Sequence, residues 1–338
     1  MTENIHLHHA DNLEIMATLP DESIDIICID PPYLYLKNQK LERVFDEPKF
    51  FSECKRLLTK KGFVIMFGRG ESFYRWNTIL ADLGFIFKEE IIWNKSHCTS
   101  PLMRLSRVHE TISIFTKGKG TINKVKVPYL EMKGNDIDSI IGDIKRMRSI
   151  FKNQKSLKAV EDFLENNTRD KSDSWNKNLL SISSDITKED RCVSVARSFK
   201  EVLNEKSIIR TDRTDCETFT KFEVNADKRK TGDRCVNVMQ SVEFGLNEKT
   251  IIKQVRDHYT AIHPTQKPVR LLERLLNLTI PKDKKEITVA DFFAGSMSTM
   301  EAVLNLQEQH PDIVFNGIAT EIDEEYFEAG KERILVKK

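Results

Sequence analysis

Apolar residues fall along the chain in short β-branched runs, separated by stretches in which they return every three or four positions. The run Ile24-Asp25-Ile26-Ile27-Cys28-Ile29 has the length and branching of a buried strand. Before it, Asp11-Asn12-Leu13-Glu14 has the shape of a capping box and predicts a short helix to Leu19, which Pro20 ends. After it, residues 34–45 are polar and without period, which reads as a mobile loop beside a site at the end of that strand. Asp46-Glu47-Pro48 opens a helix carrying Phe50, Phe51, Cys54, Leu57 and Leu58 on one face, with Gly62 as its stop. Phe63-Val64-Ile65-Met66-Phe67 is a second buried strand, and Phe73, Trp76, Leu80 and Leu83 mark a helix closed by Gly84. Residues 85–93 and 111–115 predict two further strands, separated by a polar stretch. Strands alternating with helices predict an α/β fold with a mostly parallel, doubly wound sheet.

From about residue 116 to 260 the alternation weakens, and short helical patterns such as residues 157–164 lie among Asn, Asp, Lys and Ser. It resumes at Ile262: Pro268 opens a leucine-rich helix that Pro281 ends, then come a strand at 287–290, a helix at 297–306, a strand at 313–319 and a helix at 323–335. The expected organisation is one α/β domain formed by residues 1–115 and 261–338, interrupted by an inserted module at 116–260.

Charge sharpens that division. The formal net charge of +1 hides a net +6 over residues 116–260 against −5 over the rest. A basic module on an acidic body suits one face turned toward phosphates. The six cysteines lack a C-x-x-C pair, which argues against a zinc site and a disulfide framework. No segment approaches the ~20 apolar residues of a membrane span, and the N-terminus lacks a signal pattern, so a soluble cytoplasmic protein is expected, with no membrane partner and no metal.

The candidate chemistry starts where the first of these strands stops. In Asp30-Pro31-Pro32-Tyr33 two prolines forbid ladder and helix alike, so the backbone leaves the sheet at the end where open α/β sheets bind ligands. The Asp30 carboxylate and the Pro31 carbonyl form a rigid pair of acceptors beside the ring of Tyr33. Such a site suits a planar amino group, as on an adenine or cytosine taken out of a duplex. The tetrapeptide resembles the signature of amino-methyltransferases acting on nucleic acid, chiefly DNA adenine-N6 methyltransferases.

A second constellation lies near the other end. Asp291-Phe292-Phe293-Ala294-Gly295-Ser296 joins a strand to a helix through small residues that let backbone approach a ligand, and Glu321, at the end of the next strand, is placed to accept from ribose hydroxyls. A lone Gly295 does not fit the G-x-G-x-x-G of nicotinamide or flavin enzymes. The stretch instead resembles the methyltransferase cofactor motif, with Phe292 for the usual proline and Met297 for the usual second glycine. Loss of that glycine bears on pocket width and cofactor affinity. His263-Pro264-Thr265-Gln266-Lys267-Pro268 matches a further motif of the family in full, in which Thr265 and Lys267 help close the methionine end of the cofactor. A cation at a helix start is unfavourable, and the carboxylate of a bound ligand nearby would account for it. Asp11 falls where the family carries an acidic residue near cofactor and base, although a plain helix cap accounts for it equally, and His109-Glu110 resembles a pair flanking the target pocket, a strand-edge ion pair being the alternative.

The order of these motifs resembles the β-type amino-methyltransferases, covering roughly 1–115 and 262–338. That resemblance implies a Rossmann-like fold that binds S-adenosylmethionine, with Asp30, Pro31, Pro32 and Tyr33 catalytic. Asp11, His263, Thr265, Lys267, Asp291, Phe293, Ala294, Gly295, Ser296 and Glu321 then face the cofactor, and the insertion reads double-stranded DNA. It further implies adenine-N6 methylation with base flipping, and it admits a homodimer and a cognate restriction endonuclease. Cytosine N4 offers the same amino chemistry, while cytosine C5 is excluded because no Pro-Cys dipeptide occurs. A DNA-binding module with a decayed cofactor site is the rival from another class. Within the insertion, Arg146, Arg148, Arg210, Arg213 and Lys228-Arg229-Lys230 are candidates for phosphate or guanine contacts.

Overall fold

The computed structural model describes residues 4–33, 43–95, 108–133, 136–148, 158, 161, 165, 241–242, 244–255, 262–263 and 265–336. The chain divides into two compact units, one comprising Met1–Pro101, Arg107–Val125 and Glu248–Lys338, the other Leu102–Ser106 and Lys126–Asn247. Residues 116–125 and, among the described residues, 248–255, assigned to the insertion by the sequence pattern, are grouped with the first unit.

The first unit is built on an eight-stranded sheet. Its strands are β1 (Ile5–His9), β2 (Ile24–Ile29), β3 (Leu58–Gly68), β4 (Ile86–Asn94), β5 (His109–Thr116), β8 (Ile251–Lys253), β9 (Glu286–Asp291) and β10 (Val314–Glu321), in the spatial order β1-β10-β9-β2-β3-β5-β4-β8. Five of the seven neighbouring strand pairs are parallel, and β5 alone runs against both its neighbours, β3 and β4. The expectation of a mostly parallel sheet holds, and the exception has a physical reason: no helix lies between β4 and β5 among the described residues, and a parallel return needs a long crossover. The reversal brings the amino end of β5 beside the carboxyl ends of β3 and β4.

Helices cover both faces. α1 (Asn12–Thr18), α2 (Glu47–Leu57) and α3 (Gly70–Asp82) supply Met16, Phe50, Phe51, Cys54, Phe73, Trp76 and Leu80 to one layer of core. α6 (Val269–Thr279), α7 (Ser298–Gln309) and α8 (Glu324–Val336) supply Leu271, Leu275, Met300, Val303 and Phe327 to the other. β2 is buried along its whole length, with Ile26 and Cys28 facing one layer and Ile27 and Ile29 the other, which is why its sequence is a continuous apolar run. Asp11 caps α1 by accepting from the Leu13 backbone N–H at 2.9 Å, and Asp46 caps α2 from Lys49 at 3.1 Å.

Two expectations are corrected. The sheet begins before Ile24, with β1 at its edge, paired in parallel with β10 from Ile5↔Gly317 to His9↔Glu321. Gly62 does not stop a helix: α2 ends at Leu57, and Gly62 lies inside β3 where the register slips, Ile24 pairing with Leu58 but Ile26 with Phe63. The bulge wraps Asp25, whose buried carboxylate accepts from Thr59 Oγ1 (3.1 Å), Lys284 Nζ (2.6 Å) and the Thr288 backbone N–H (3.2 Å), tying β2 to β3 and β9.

Within the second unit, β6 (Lys126–Val127) pairs antiparallel with β7 (Leu246–Asn247), and α4 (Tyr129–Lys133) precedes α5 (Ile137–Arg148). Asp143 of α5 holds Tyr129 and Arg146, each at 2.7 Å, and Lys133. Among the described residues no helix is long and apolar enough to cross a membrane, and no group of three or more His, Cys, Asp or Glu is placed to hold a metal ion. The predicted loop at 34–45 and the helical pattern at 157–164 lie mostly outside the described residues.

A methyl group added at Gly62 meets Leu58 Cδ2 at 2.8 Å and the carbonyl oxygens of Thr59 and Asp25 at 3.1 and 3.2 Å. Gly62→Ala should therefore lower unfolding stability by about 1–3 kcal/mol, read as a reduced denaturant midpoint; an unchanged midpoint contradicts the close approach.

Candidate active site

The carboxyl ends of β1, β2, β3, β4, β9 and β10 and the amino end of β5 open into one cavity of about 410 Å³ within the first unit. Its lining brings together Asp11, the Asp30-Pro31-Pro32-Tyr33 turn, His263, Thr265, Lys267, Asp291, Phe293, Ala294, Gly295, Ser296 and Glu321, although these residues span almost the whole chain. The crevice outside the carboxyl strand ends is the ligand position of open α/β sheets.

The Asp30 turn is held from two sides. Ser72 Oγ at the start of α3 donates to the Tyr33 carbonyl at 2.7 Å, and the Tyr33 ring packs near Trp76 with centroids 6.2 Å apart. The Tyr33 hydroxyl donates to Asp30 Oδ1 at 2.5 Å, and Lys267 Nζ donates to Asp30 Oδ2. A fifth of the Asp30 side chain stays accessible from the cavity. Burial pushes its carboxyl above the ordinary aspartate range; Lys267 works against that shift and Glu110 adds to it.

Lys267 thus finds its carboxylates in the protein itself, which accounts for a cation two residues ahead of α6. Its ammonium also lies 3.3 Å from Glu110 Oε2, over the ring of Phe67 at 5.1 Å. Glu110 in turn accepts from Lys95 at 3.0 Å. Glu110 lines the cavity, whereas its neighbour His109 does not. Sequence reasoning missed Lys95 altogether, and only the pairing of β4 with β5, Trp93 opposite Glu110, brings it to the site. Phe45, at the end of the loop expected beside the site, was not singled out; it lines the cavity and meets Phe293 at 5.1 Å and Phe50 at 5.5 Å.

The opposite wall is mostly backbone. Glu321 accepts from the N–H of Gly295 and from the N–H of Asp323, both at 2.8 Å, and so joins the loop after β9 to the start of α8. Gly295 has φ +49, and a Cβ there would lie 3.4 Å from the His263 ring. Met297, at φ +58, has its side chain fully buried and outside the cavity lining, against Gly330, so the missing glycine does not narrow the cavity. Phe292 is likewise buried, with its carbonyl accepting from Thr320 Oγ1 at 3.0 Å.

Two groups here titrate far from their usual ranges. Burial raises Asp291 to about 7, although Thr299 Oγ1 (2.5 Å) and the Phe293 N–H (3.0 Å) both donate to it. Burial, with the Lys267 ammonium, lowers His263 to about 4; its ring stands edge-on to Tyr326 with centroids 4.3 Å apart.

In the second unit, Arg146 pairs with Asp143 at 2.7 Å and Arg148 with Glu161 at 2.6 Å, so both candidate contacts carry carboxylate partners. Arg210, Arg213 and Lys228-Arg229-Lys230 lie outside the described residues.

A family model described as DNA methylase, of the N6/N4 type, matches residues 24–332. The type II methyltransferase M.HinfI of Haemophilus influenzae is 32% identical over 165 residues, covering 39% of this chain and 45% of that protein. M.BglII of Bacillus subtilis is 22% identical over 179 residues, covering 44% and 49%. The match thus spans about half the length of these curated relatives. Among solved structures, an M1.HpyAVI–SAM complex aligns over 97% of this chain and 99% of its own at 16% identity and a TM-score of 0.48, and PvuII DNA methyltransferase (cytosine-N4-specific) over 98% and 87% at 14% and 0.49.

The two displaced titrations oppose each other. The folded state holds a proton on Asp291 up to about pH 7, against 3.8 for a free aspartate, so this group's contribution to stability falls as pH rises from about 4 to 7. His263, neutral down to about pH 4 instead of 6.5, contributes stability that is lost as pH falls through the same window. Asp291→Asn removes only the first effect. Relative to the parent, its stability should rise by roughly 3 kcal/mol between pH 4 and 7, measured by urea unfolding at a series of pH values; a constant difference contradicts the assignment.

Proposed function

We propose, since the chain belongs to the DNA methylase family, that it transfers a methyl group from S-adenosylmethionine to the N6 amino group of an adenine flipped out of duplex DNA. The observation that carries this reading is the shared cavity: the Asp30 turn and the small residues Ala294, Gly295 and Ser296 line one space.

The residues present fit such a cofactor. A volume of about 410 Å³ falls in the range of about 300–1,000 Å³ of ligand clefts. The wall at Gly295 leaves room for close approach, and each Glu321 oxygen, engaged by a single backbone N–H, keeps capacity to accept from a ribose hydroxyl. Phe45 and Phe293 offer ring faces to an adenine. Bound there, S-adenosylmethionine supplies a methyl group already activated on a sulfonium.

The protein's task is therefore orientation and charge placement. An exocyclic amino nitrogen is a poor nucleophile because its lone pair is delocalised into the ring. Asp30 and the Pro31 carbonyl, accepting its two hydrogens, pull it toward tetrahedral geometry and localise that pair. Their oxygens also stabilise the positive charge that develops on nitrogen. Tyr33, fixed by Ser72 and Trp76, presents a ring on which the flipped base stacks. Target recognition is assigned to the basic region at 116–260. An aspartate at position 30, as opposed to serine, favours adenine; cytosine N4, with the same donors, is the second reading, supported by the breadth of the matching family.

Tritiated-methyl transfer to unmethylated duplex DNA, followed by separation of the product nucleosides, tests this. N6-methyladenine is expected from the parent, with a fall of about 10²–10³-fold in Asp30→Ala, the cost of removing one preorganised partner of a developing charge. N4-methylcytosine would establish the second reading instead.

A further inference from the structure

Beside the acceptors for the target amino group lies a charge cluster that the proposed chemistry leaves unused. Lys95, Glu110 and Lys267 are each less than a tenth exposed. Carboxylate and ammonium alternate through the cluster: Lys95 donates to Glu110 Oε1 at 3.0 Å, Glu110 Oε2 lies 3.3 Å from Lys267 Nζ, and Lys267 donates to Asp30 Oδ2. The rings of Phe67 and Tyr33 flank the Lys267 ammonium at 5.1 and 5.9 Å.

We propose that Lys267 is a two-seat ammonium, held by Asp30 until the target base arrives and passed to Glu110 as the target amino group takes Asp30, an assignment that rests on reading Asp30 as the acceptor of that group. Glu110 and Lys267 are then positioning residues for methyl transfer.

The argument is one of charge and reach. A nitrogen gaining positive charge at Asp30 is repelled by an ammonium on the same carboxylate, and inside a low-dielectric pocket that repulsion is steep. Moving Lys267 into the open cavity would leave a buried cation unpaired. Glu110 removes both difficulties, because its Oε2 is already within ion-pair reach while Lys95 fixes its other oxygen. Rotation about the last bonds of the lysine side chain is enough to change seats, and the aromatic rings shield the ammonium along the way. The pairing of Trp93 with Glu110 across β4 and β5 holds the second seat on regular structure.

Among the described residues, the charged and titratable groups facing Asp30 are Lys267 ahead of α6, Glu110 on β5, Asp291 on β9, Cys28 on β2 and Tyr33 in its own turn. Burial raises Asp30, Lys267 lowers it and Glu110 raises it. Neutralising Glu110 thus moves the acidic limb of the reaction to lower pH while also removing the second seat, a pairing of effects that a structural role does not produce.

The full chain, Glu110→Gln and Glu110→Asp are compared in single-turnover transfer to duplex DNA from about pH 5.5 to 9, in duplex affinity, and in the ¹⁵N resonance of the Lys267 ammonium with and without duplex. Glu110→Gln should slow transfer about 100-fold at unchanged duplex affinity, with its acidic limb displaced to lower pH, and Glu110→Asp should recover much of the rate. The Lys267 resonance should move when the parent binds duplex and stay in place in Glu110→Gln. A slowed rate with an unmoved acidic limb, or a Lys267 resonance that duplex binding leaves unchanged in the parent, overturns the proposal. A parent that binds duplex without transferring methyl overturns the methyltransferase reading alone, and the resonance then decides the two-seat proposal by itself.

Discussion

The ion pair between Lys267 and Asp30 joins positions 237 residues apart, and with Glu110 and Lys95 it fastens three strand ends and the start of α6 into one site. Such a cluster is poorly explained as a source of stability. Taking four charged groups out of water costs several kcal/mol per ion, and apolar side chains of similar volume commonly do as well or better. What alternating charges provide is definition, since each group has its partner at one place and a misplaced neighbour leaves a charge unpaired. Around a carboxylate that must meet a planar amino group, that definition is the useful property.

The fold was legible wherever burial on both sides forces a pattern. β2 and the core of β3 read as strands because every position must be apolar, and α2 and α3 because their apolar residues repeat at helical spacing. β1 escaped notice because it is an edge strand: His6, His8 and His9 occupy a strand of only five residues, so apolar character thins where one neighbour is missing. Gly62 misled for a different reason. Glycine after an apolar helical run signals a helix end, yet here it serves the tight bulge around Asp25, a three-strand contact with no local trace in the sequence.

The site was legible to the extent that its parts sit in contiguous motifs. The Asp30 turn, the stretch from His263 to Lys267 and the loop after β9 are each compatible with an ordinary turn when taken singly; their order along the chain made them readable together, and the cavity gathers them. Lys95 and Phe45 could not be found that way, since neither belongs to a motif and each reaches the cavity through register or packing. The partner of Lys267 was equally hidden. A lysine near a helix start announces a missing anion, but only the closed sheet shows that Asp30 and Glu110 supply it.

Met297 shows how a departure from a family pattern can be absorbed by a distant position. A left-handed backbone costs a non-glycine residue about 1–2 kcal/mol, so Met at φ +58 needs compensation. It comes from α8, where Gly330 has no side chain: a Cβ there would stand 2.5 Å from Met297 Cγ. The cleft so formed buries the methionine side chain completely, and burial of a side chain of that size is worth about 1.5–3 kcal/mol, enough to offset the strained backbone. The direction of the side chain matters as much as the balance. Because the methionine packs against Gly330 of α8, outside the cavity lining, Gly295 and Ser296 are still presented to the cavity.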